Sequence, residues 1–466
     1  YSVRTDLNSP PIGTMNSIDD IIIRLQEEAA KTDAGDWVVG MGYDDTLLAE
    51  KRHPTREDLD KASLDHPIGI IHVSGHLAAV NSKALELVGY DEDTPDPPGG
   101  HLGRDPESGR LNGLLEENAT APVAMEAVTP SGLEILDIFR SGSQQYLEAG
   151  VTTAQSGYTS EAQADGMAWM SRLGLIPMRL VIWPGMEAAD ALLAGDWEFD
   201  SYDEDWLKLG AVKLIADGSI QGYTGYLSEP YHVPPGSDPH YRGYPRIPRE
   251  ELIERVGRYH DAGMQVAIHG NGDASIDDIL DALETAQQKS PRPDARPIII
   301  HAQMTREDQL DRIAELDAIP SFFVLHTYYW GDRHRDIFMG PERAFRMSPT
   351  ASAERRSIPY TLHADNPVVP MEPLRIIWSA VNRRSTSGQL IGDEQRITPM
   401  QALQGVTTRA ARAHFEEADK GSLEVGKLAD LVILSDSPLT VPPDEIDDIT
   451  VLETIVGGKT VYQRAE

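Results

Sequence analysis

From residue 150 onward the chain alternates short apolar runs with amphipathic helical patterns, and that alternation restricts its fold more than any other feature. The runs fall at residues 151–156, 176–184, 209–216, 265–269, 297–302, 320–326 and 359–364. They are β-branched and nearly continuous in apolarity, as strands buried on both faces must be. Helical patterns lie at 133–149, 162–173, 249–262, 275–289, 306–316 and 373–383. In the fourth of these, Ile276, Ile279, Leu280 and Leu283 share one face, the spacing of a helix packed on a core. Strand, helix, strand, repeated, means right-handed parallel crossovers. Seven strands of this kind predict an α/β fold, a (β/α)8 TIM barrel with one strand unaccounted for.

The flanking regions read differently. Residues 17–31 predict a helix capped by Ser17, with Ile18, Ile21, Ile22 and Leu25 inward. Residues from about 40 to 130 do not follow the barrel repeat; with loop chemistry around Thr94–Gly100 they read as an insertion over the barrel's top. The barrel domain is therefore expected over 1–411. Residues 412–466 carry strand patterns without intervening helices and read as a small β unit.

Composition narrows the partners. The 466 residues hold 41 Lys and Arg against 75 Asp and Glu, a formal charge of −34 spread along the whole length. Such a surface repels phosphate backbones, so no nucleic-acid partner is expected. No apolar run approaches the roughly 20 residues that cross a bilayer, so no membrane partner is expected either. Cysteine is absent, which excludes thiolate ligands and a cysteine nucleophile. Any metal must be held by nitrogen and oxygen. A small-molecule substrate is expected, and a homo-oligomer is left open.

Barrel chemistry concentrates at the C-terminal ends of strands. There the sequence places Lys213, His269, His301 and Asp365. Each alone has an ordinary reading: a hydrogen-bonded histidine, a helix-capping Asp, an ion-paired Lys. Four at equivalent positions are hard to explain by packing, because buried ionisable groups need partners. Two imidazoles and a carboxylate suit zinc or another borderline divalent metal. His326 and Trp330, near the end of the seventh strand, and His76 and Asn81, in the insertion, are weaker pocket candidates; loop or core hydrogen bonding competes for each of them. Gly457–Thr460 looks like the end of a phosphate loop but lacks the earlier glycine, and Asn118-Ala-Thr120 is a sequon of the kind that arises by chance.

The order Lys213, His269, His301, Asp365 resembles the amidohydrolase superfamily. More closely, the chain resembles the branch called amidohydrolase family 3, which includes N-substituted formamide deformylase. The stretches that carry this are Gly35-Asp-Trp-Val-Val-Gly-Met-Gly-Tyr-Asp, His53-Pro-Thr-Arg-Glu-Asp-Leu-Asp, Gly75-His-Leu-Ala-Ala-Val-Asn-Ser-Lys-Ala-Leu, Lys213 to Gly218, His269-Gly-Asn-Gly-Asp, His301-Ala-Gln and Lys420-Gly-Ser-Leu-Glu-Val-Gly-Lys-Leu-Ala-Asp-Leu-Val. The resemblance implies one or two divalent ions and a carboxylated Lys213 bridging them. It implies that His269 and His301 complete one metal position, and that Asp365 is both a ligand and the general base. The implied reaction is hydrolysis of an amide, formamide or related C–N bond by metal-activated hydroxide. A deaminase on the same barrel, or a non-catalytic binding protein on the hydrolase scaffold, are the alternatives. For residues 412–466 the resemblance implies part of a β-sandwich.

One departure matters. The family's first barrel strand ends in His-x-His, and none of the 14 histidines here forms that pair. Residues 1–7 match the segment just after that strand. Tyr1 is not a start methionine and no charged-plus-apolar leader follows it, so the chain is expected to lack its natural N-terminus, with a cytoplasmic location as the working expectation.

Overall fold

A capping box opens the first helix: the Ser17 hydroxyl accepts from the Asp20 backbone N–H, and the Asp20 carboxylate accepts from the Ser17 N–H. The helix Ile18–Ala29 then buries Ile18, Ile21, Ile22 and Leu25, the four residues whose spacing places them on one face. In this computed structural model residues 4–127 and 132–465 are described, so Tyr1 and the two residues after it lie outside the described part. The chain divides into two compact units, one of Tyr1–Ile138 with Asn366–Pro370, the other of Phe139–Asp365 with Met371–Glu466.

In the first unit the helix packs with Leu7, Val38, Ile68 and Ile70 into one core. Strands β1 (Thr5–Asp6), β2 (Val38–Tyr43), β3 (Ile68–His72), β4 (Leu77–Val80), β5 (Gly100–Arg104) and β6 (Leu111–Glu117) form a single sheet in the order β1-β2-β3-β4-β6-β5. The first three are parallel and the rest antiparallel. The stretch from about 40 to 130 thus contributes five of the six strands of a sheet that begins at Thr5, rather than loop structure alone. Its strands are short, and their connections mix tight turns with the short helices Arg56–Asp60 and Ser82–Val88, which hid their pairing from a reading by periodicity.

In the second unit the strands are β7 (Thr153–Thr159), β8 (Arg179–Pro184), β9 (Leu207–Leu209), β10 (Val212–Ile215), β11 (Val266–Gly270), β12 (Ile298–His301), β13 (Ile319–Phe322) and β14 (Thr361–Leu362). All pair in parallel, as β7-β8-β9 and β10-β11-β12-β13-β14. The run read as one strand at 209–216 is two short segments: it pairs with β8 before Gly210 and with β11 after it, and Gly210 N–H itself donates to Ile182 O. Helices Glu161–Arg172, Met186–Ala194, Arg249–Asp261, Asp273–Lys289 and Glu307–Glu315 supply the crossovers. Val181 and Trp183 of β8 share a core with Ala267, Ile298, Ile300 and Ile319 of β11–β13, so the two sheets face one shared interior. Among the described residues no hydrogen-bonded pairing joins β14 to β7.

After the parallel series, β15 (Leu431–Leu434), β16 (Val451–Val456) and β17 (Lys459–Gln463) make an antiparallel sheet of their own. The segment 412–466, expected as part of a small β-sandwich, forms this one sheet among its described residues. Val456 buries into the core around Leu147, Ala154 and Leu180.

The helix Asp273–Lys289 carries one destabilising group. Burial, with Asp281, Asp277 and Glu250 adding to it, pushes the Asp278 carboxyl up to about 6 against the pull of Arg249. A carboxyl raised above its unfolded value stabilises the fold fully below the unfolded pKa, and that contribution is lost as pH rises through the folded one. The wild-type chain therefore loses stability between about pH 4 and 6 through this residue. Asp278→Asn removes the titration. Above pH 6.5 or so it is expected to be more stable than wild type by about 1–2 kcal/mol, allowing for solvent screening, with the gap closing near pH 4. Urea unfolding of both proteins at the two pH values checks this; a gap independent of pH would refute it.

Candidate metal centre

Strand register decides which side chains meet. Lys213 pairs with Ala267, whose side chain lies in the shared interior, so Lys213 faces inward, and His269, two residues beyond Ala267, faces inward as well. Ser321 pairs with Thr361, and His363 follows Thr361 by two, on the same face. His301 is different. It pairs with Gly270 and follows the inward-facing Ile300, so simple alternation would turn its ring outward. Its backbone is left-handed, φ 66°, and so is that of Ala302, φ 46°. This departure from the strand swings the imidazole back, and the rings of His269 and His301 meet edge to face with centres 4.6 Å apart. Asp365 is also left-handed, φ 56°. Non-glycine residues held this way cost of order 1–3 kcal/mol each and concentrate at functional sites.

The polar contacts are as specific. His301 Nε2 stands 4.0 Å from Asp365 Oδ2, too far for a hydrogen bond but within the span of two metal–ligand bonds of about 2.0–2.2 Å. His301, His363 and Asp365 each offer a donor atom within 4.8 Å of the others. His269 Nδ1 lies 3.2 Å from Asp217 Oδ1. That carboxylate is buried and accepts the backbone N–H groups of Asn271, Gly272 and Tyr226. On the other side of the ring His269 Nε2 lies 3.3 Å from Asn271 Nδ2, so a carboxylate and an amide flank and orient this imidazole, as groups around a metal-ligating histidine do.

Electrostatics prepare the same donors. Burial lowers the Lys213 ammonium to about 8, with Arg246 also lowering it and Asp365 opposing. About a tenth of such a lysine is unprotonated at pH 7, far more than at the ordinary value. Burial, then His269, His363, Lys213 and His326, holds His301 well below its ordinary range. His363 is lowered to about 3 by burial and by Lys213. Neutral imidazoles beside an ionisable carboxylate are a nitrogen–oxygen donor set that fits a borderline divalent metal.

Of the weaker candidates, His326 does not end a strand. β13 stops at Phe322, and His326 opens a short helix, His326–Tyr329, with its ring centre 6.1 Å from that of His301. Trp330 is buried against His326 and Phe323. His76, in the first unit, pairs with Glu117 at 2.9 Å. Asn81 is a structural residue of that unit. Its oxygen accepts from the Ile68 and Ala84 N–H groups, capping the helix Ser82–Val88, and its amide donates to Ser63 O and His66 O. No polar position on it is left for a ligand. A second cluster in the same unit, Asp44, Asp45 and His72, also brings three donors within 4.8 Å, but they bond to Thr46, Ser74 and one another.

Two residues of the centre escaped the sequence reading, Asp217 and His363. The spacing of His363 and Asp365, i and i+2 at the end of a strand, was the available signal for the second.

A TIM-barrel-type α/β fold with this donor set is the architecture of a metal-dependent hydrolase. Residues 3–462 match the amidohydrolase family, and the chain belongs to it. It is 27% identical to N-substituted formamide deformylase of Arthrobacter pascens over 98% of this chain and 84% of that one. It is 30% identical to the protein LONG AFTER FAR-RED 3 of Arabidopsis thaliana, over 95% and 77% of the two chains. Among solved structures, an uncharacterised metal-dependent hydrolase of Pyrococcus horikoshii superposes with a TM-score of 0.71 at 25% identity, covering 94% of this chain and 83% of that one. No helix among the described residues is long and apolar enough to cross a membrane.

Proposed function

We propose that this chain hydrolyses an amide, formamide or related C–N bond of a small molecule, with one or two divalent ions, zinc foremost, held by Lys213, His269, His301 and Asp365. The observation that carries the reading is the turn of His301 against its strand's alternation to meet His269 and face Asp365. The bound metal supplies a Lewis acid and makes hydroxide available near neutral pH. Lys213, partly unprotonated, would as the neutral amine add carbon dioxide and release a proton, giving an anionic carbamate whose oxygens would be donors for a divalent ion. The Asp365 side chain is 43% exposed at the mouth, where one carboxylate oxygen takes the proton from water and returns it to the leaving nitrogen. Buried His301 stays neutral, and His269 and His301 hold position. The fuller domain picture proposed with this function is a TIM barrel over residues 1–411 and, at 412–466, part of a small β-sandwich that includes β15–β17.

Metal analysis of the purified chain, followed by a screen of N-formyl, N-acyl and cyclic amides, tests the reading. Bound divalent metal is expected, with amine and acid as products and turnover lost on chelation and restored by zinc. A metal-replete chain that leaves every amide intact while releasing ammonia from a ring amine would replace it with deamination.

A further inference from the structure

His363 plays no part in the donor set read from sequence, yet it makes the closest polar contact to His301: His363 Nε2 and His301 Nδ1 are 3.1 Å apart. Its other nitrogen, Nδ1, is 2.9 Å from Ser321 Oγ, which also accepts the Thr361 hydroxyl at 2.7 Å. These side chains come from β13 and β14 and the residue just beyond β14, all on the inward face, so the imidazole is held at both ends.

The proton inventory of this chain says what His363 does. If His301 gives its Nε2, the nitrogen facing Asp365, to a metal, its Nδ1 must carry the ring proton and needs an acceptor. His363 Nε2 is that acceptor, which places the His363 proton on Nδ1, where Ser321 Oγ receives it. A His363 nitrogen engaged in this way has no lone pair left for a metal. Resting on the metal-site reading above, we infer that His363 is a positioning residue, the partner that fixes the ring and tautomer of His301, and not itself a ligand. The device is built on a left-handed residue: with His301 turned off the regular strand, the strand hydrogen bonds alone do not set its ring, and the Thr361–Ser321–His363 chain does so from the neighbouring strands.

The test uses the full chain stripped of metal and titrated with zinc against a chromophoric chelator, with cobalt spectra reporting the ligand set. His363→Ala should weaken zinc binding about 10–100-fold while leaving stoichiometry and cobalt spectrum unchanged. His363→Gln, which keeps an acceptor near the Nε2 position, should recover most of that loss, and Ser321→Ala should show a smaller loss than His363→Ala. Wild-type zinc affinity in His363→Ala would overturn the inference and leave the metal site standing. Loss of a zinc equivalent, or an altered cobalt spectrum, would also overturn it, by making His363 a ligand. A wild-type chain that binds neither zinc nor cobalt would instead bring down the metal-site reading, and this inference with it. Should His363→Ala fail to fold by circular dichroism, His363→Leu takes its place, and unchanged affinity in both His363→Leu and Ser321→Ala decides against the inference.

Discussion

Asp365→Asn is expected to lower kcat by about 10²–10⁴-fold while much of the bound metal stays in place. An amide still presents an oxygen to a metal, but it cannot take a proton from water at neutral pH. The substitution is also conformationally quiet, because Asn tolerates the left-handed backbone that Asp365 adopts, φ 56°. His269→Ala and His301→Ala should behave in the opposite way, losing metal first and activity as a consequence, since each removes a neutral nitrogen donor. The contrast is therefore between a metal-loaded, inactive Asp variant and metal-poor His variants. Metal analysis beside initial rates on one accepted amide separates them. An Asp365→Asn enzyme with a near wild-type rate would remove Asp365 as the base while leaving the fold and the family unaffected.

Why the strand ends were legible and their fine geometry was not comes down to what periodicity encodes. Buried parallel strands are continuous apolar runs, so β8, β11, β12 and β13 stand out, and a polar residue closing such a run marks itself, as His269 and His301 do. Alternation carries no record of a left-handed residue, so the sequence offered no reason why His301 should meet His269 when its register pairs it with Gly270. His363 was visible but indistinguishable from an ordinary histidine until Ser321, 42 residues away in sequence, was seen to hold it. Asn81 is the opposite case: its place in a matched motif left pocket and loop roles equally open, and in the structure the residue is spent on capping and bridging backbone. The strands of the first unit are short, and three of its pairings are antiparallel, so they produced neither long apolar runs nor a helix–strand rhythm.

Arg179→Met is expected to destabilise the second unit by about 3–5 kcal/mol. Arg179 begins β8, and its guanidinium meets the Asp430 carboxylate through two bonds of 2.6 and 3.0 Å. Its third nitrogen donates to Asp205 O at 2.6 Å, and the group lies 4.8 Å from the centre of the Trp206 ring. Asp430 comes just before β15 and accepts from the Gly457 N–H in the turn between β16 and β17, so this one pair ties the C-terminal sheet to the parallel series. Side-chain exposure is 3% for Arg179 and 6% for Asp430, which decides the size of the effect. A surface pair contributes little, but here removing the cation leaves a buried carboxylate with the Gly457 N–H as its remaining hydrogen-bond partner among the described residues, and that desolvation goes uncompensated. Much of the cost therefore comes from the orphaned charge rather than from lost attraction. Arg179→Met combined with Asp430→Leu should accordingly be markedly more stable than Arg179→Met alone, since no unpaired charge remains in the interior. Denaturant unfolding of the wild type, both single variants and the double variant measures the coupling. A single Arg179→Met substitution costing under about 1 kcal/mol would show that water reaches this pair and that the C-terminal sheet is held by its apolar contacts around Val456 instead.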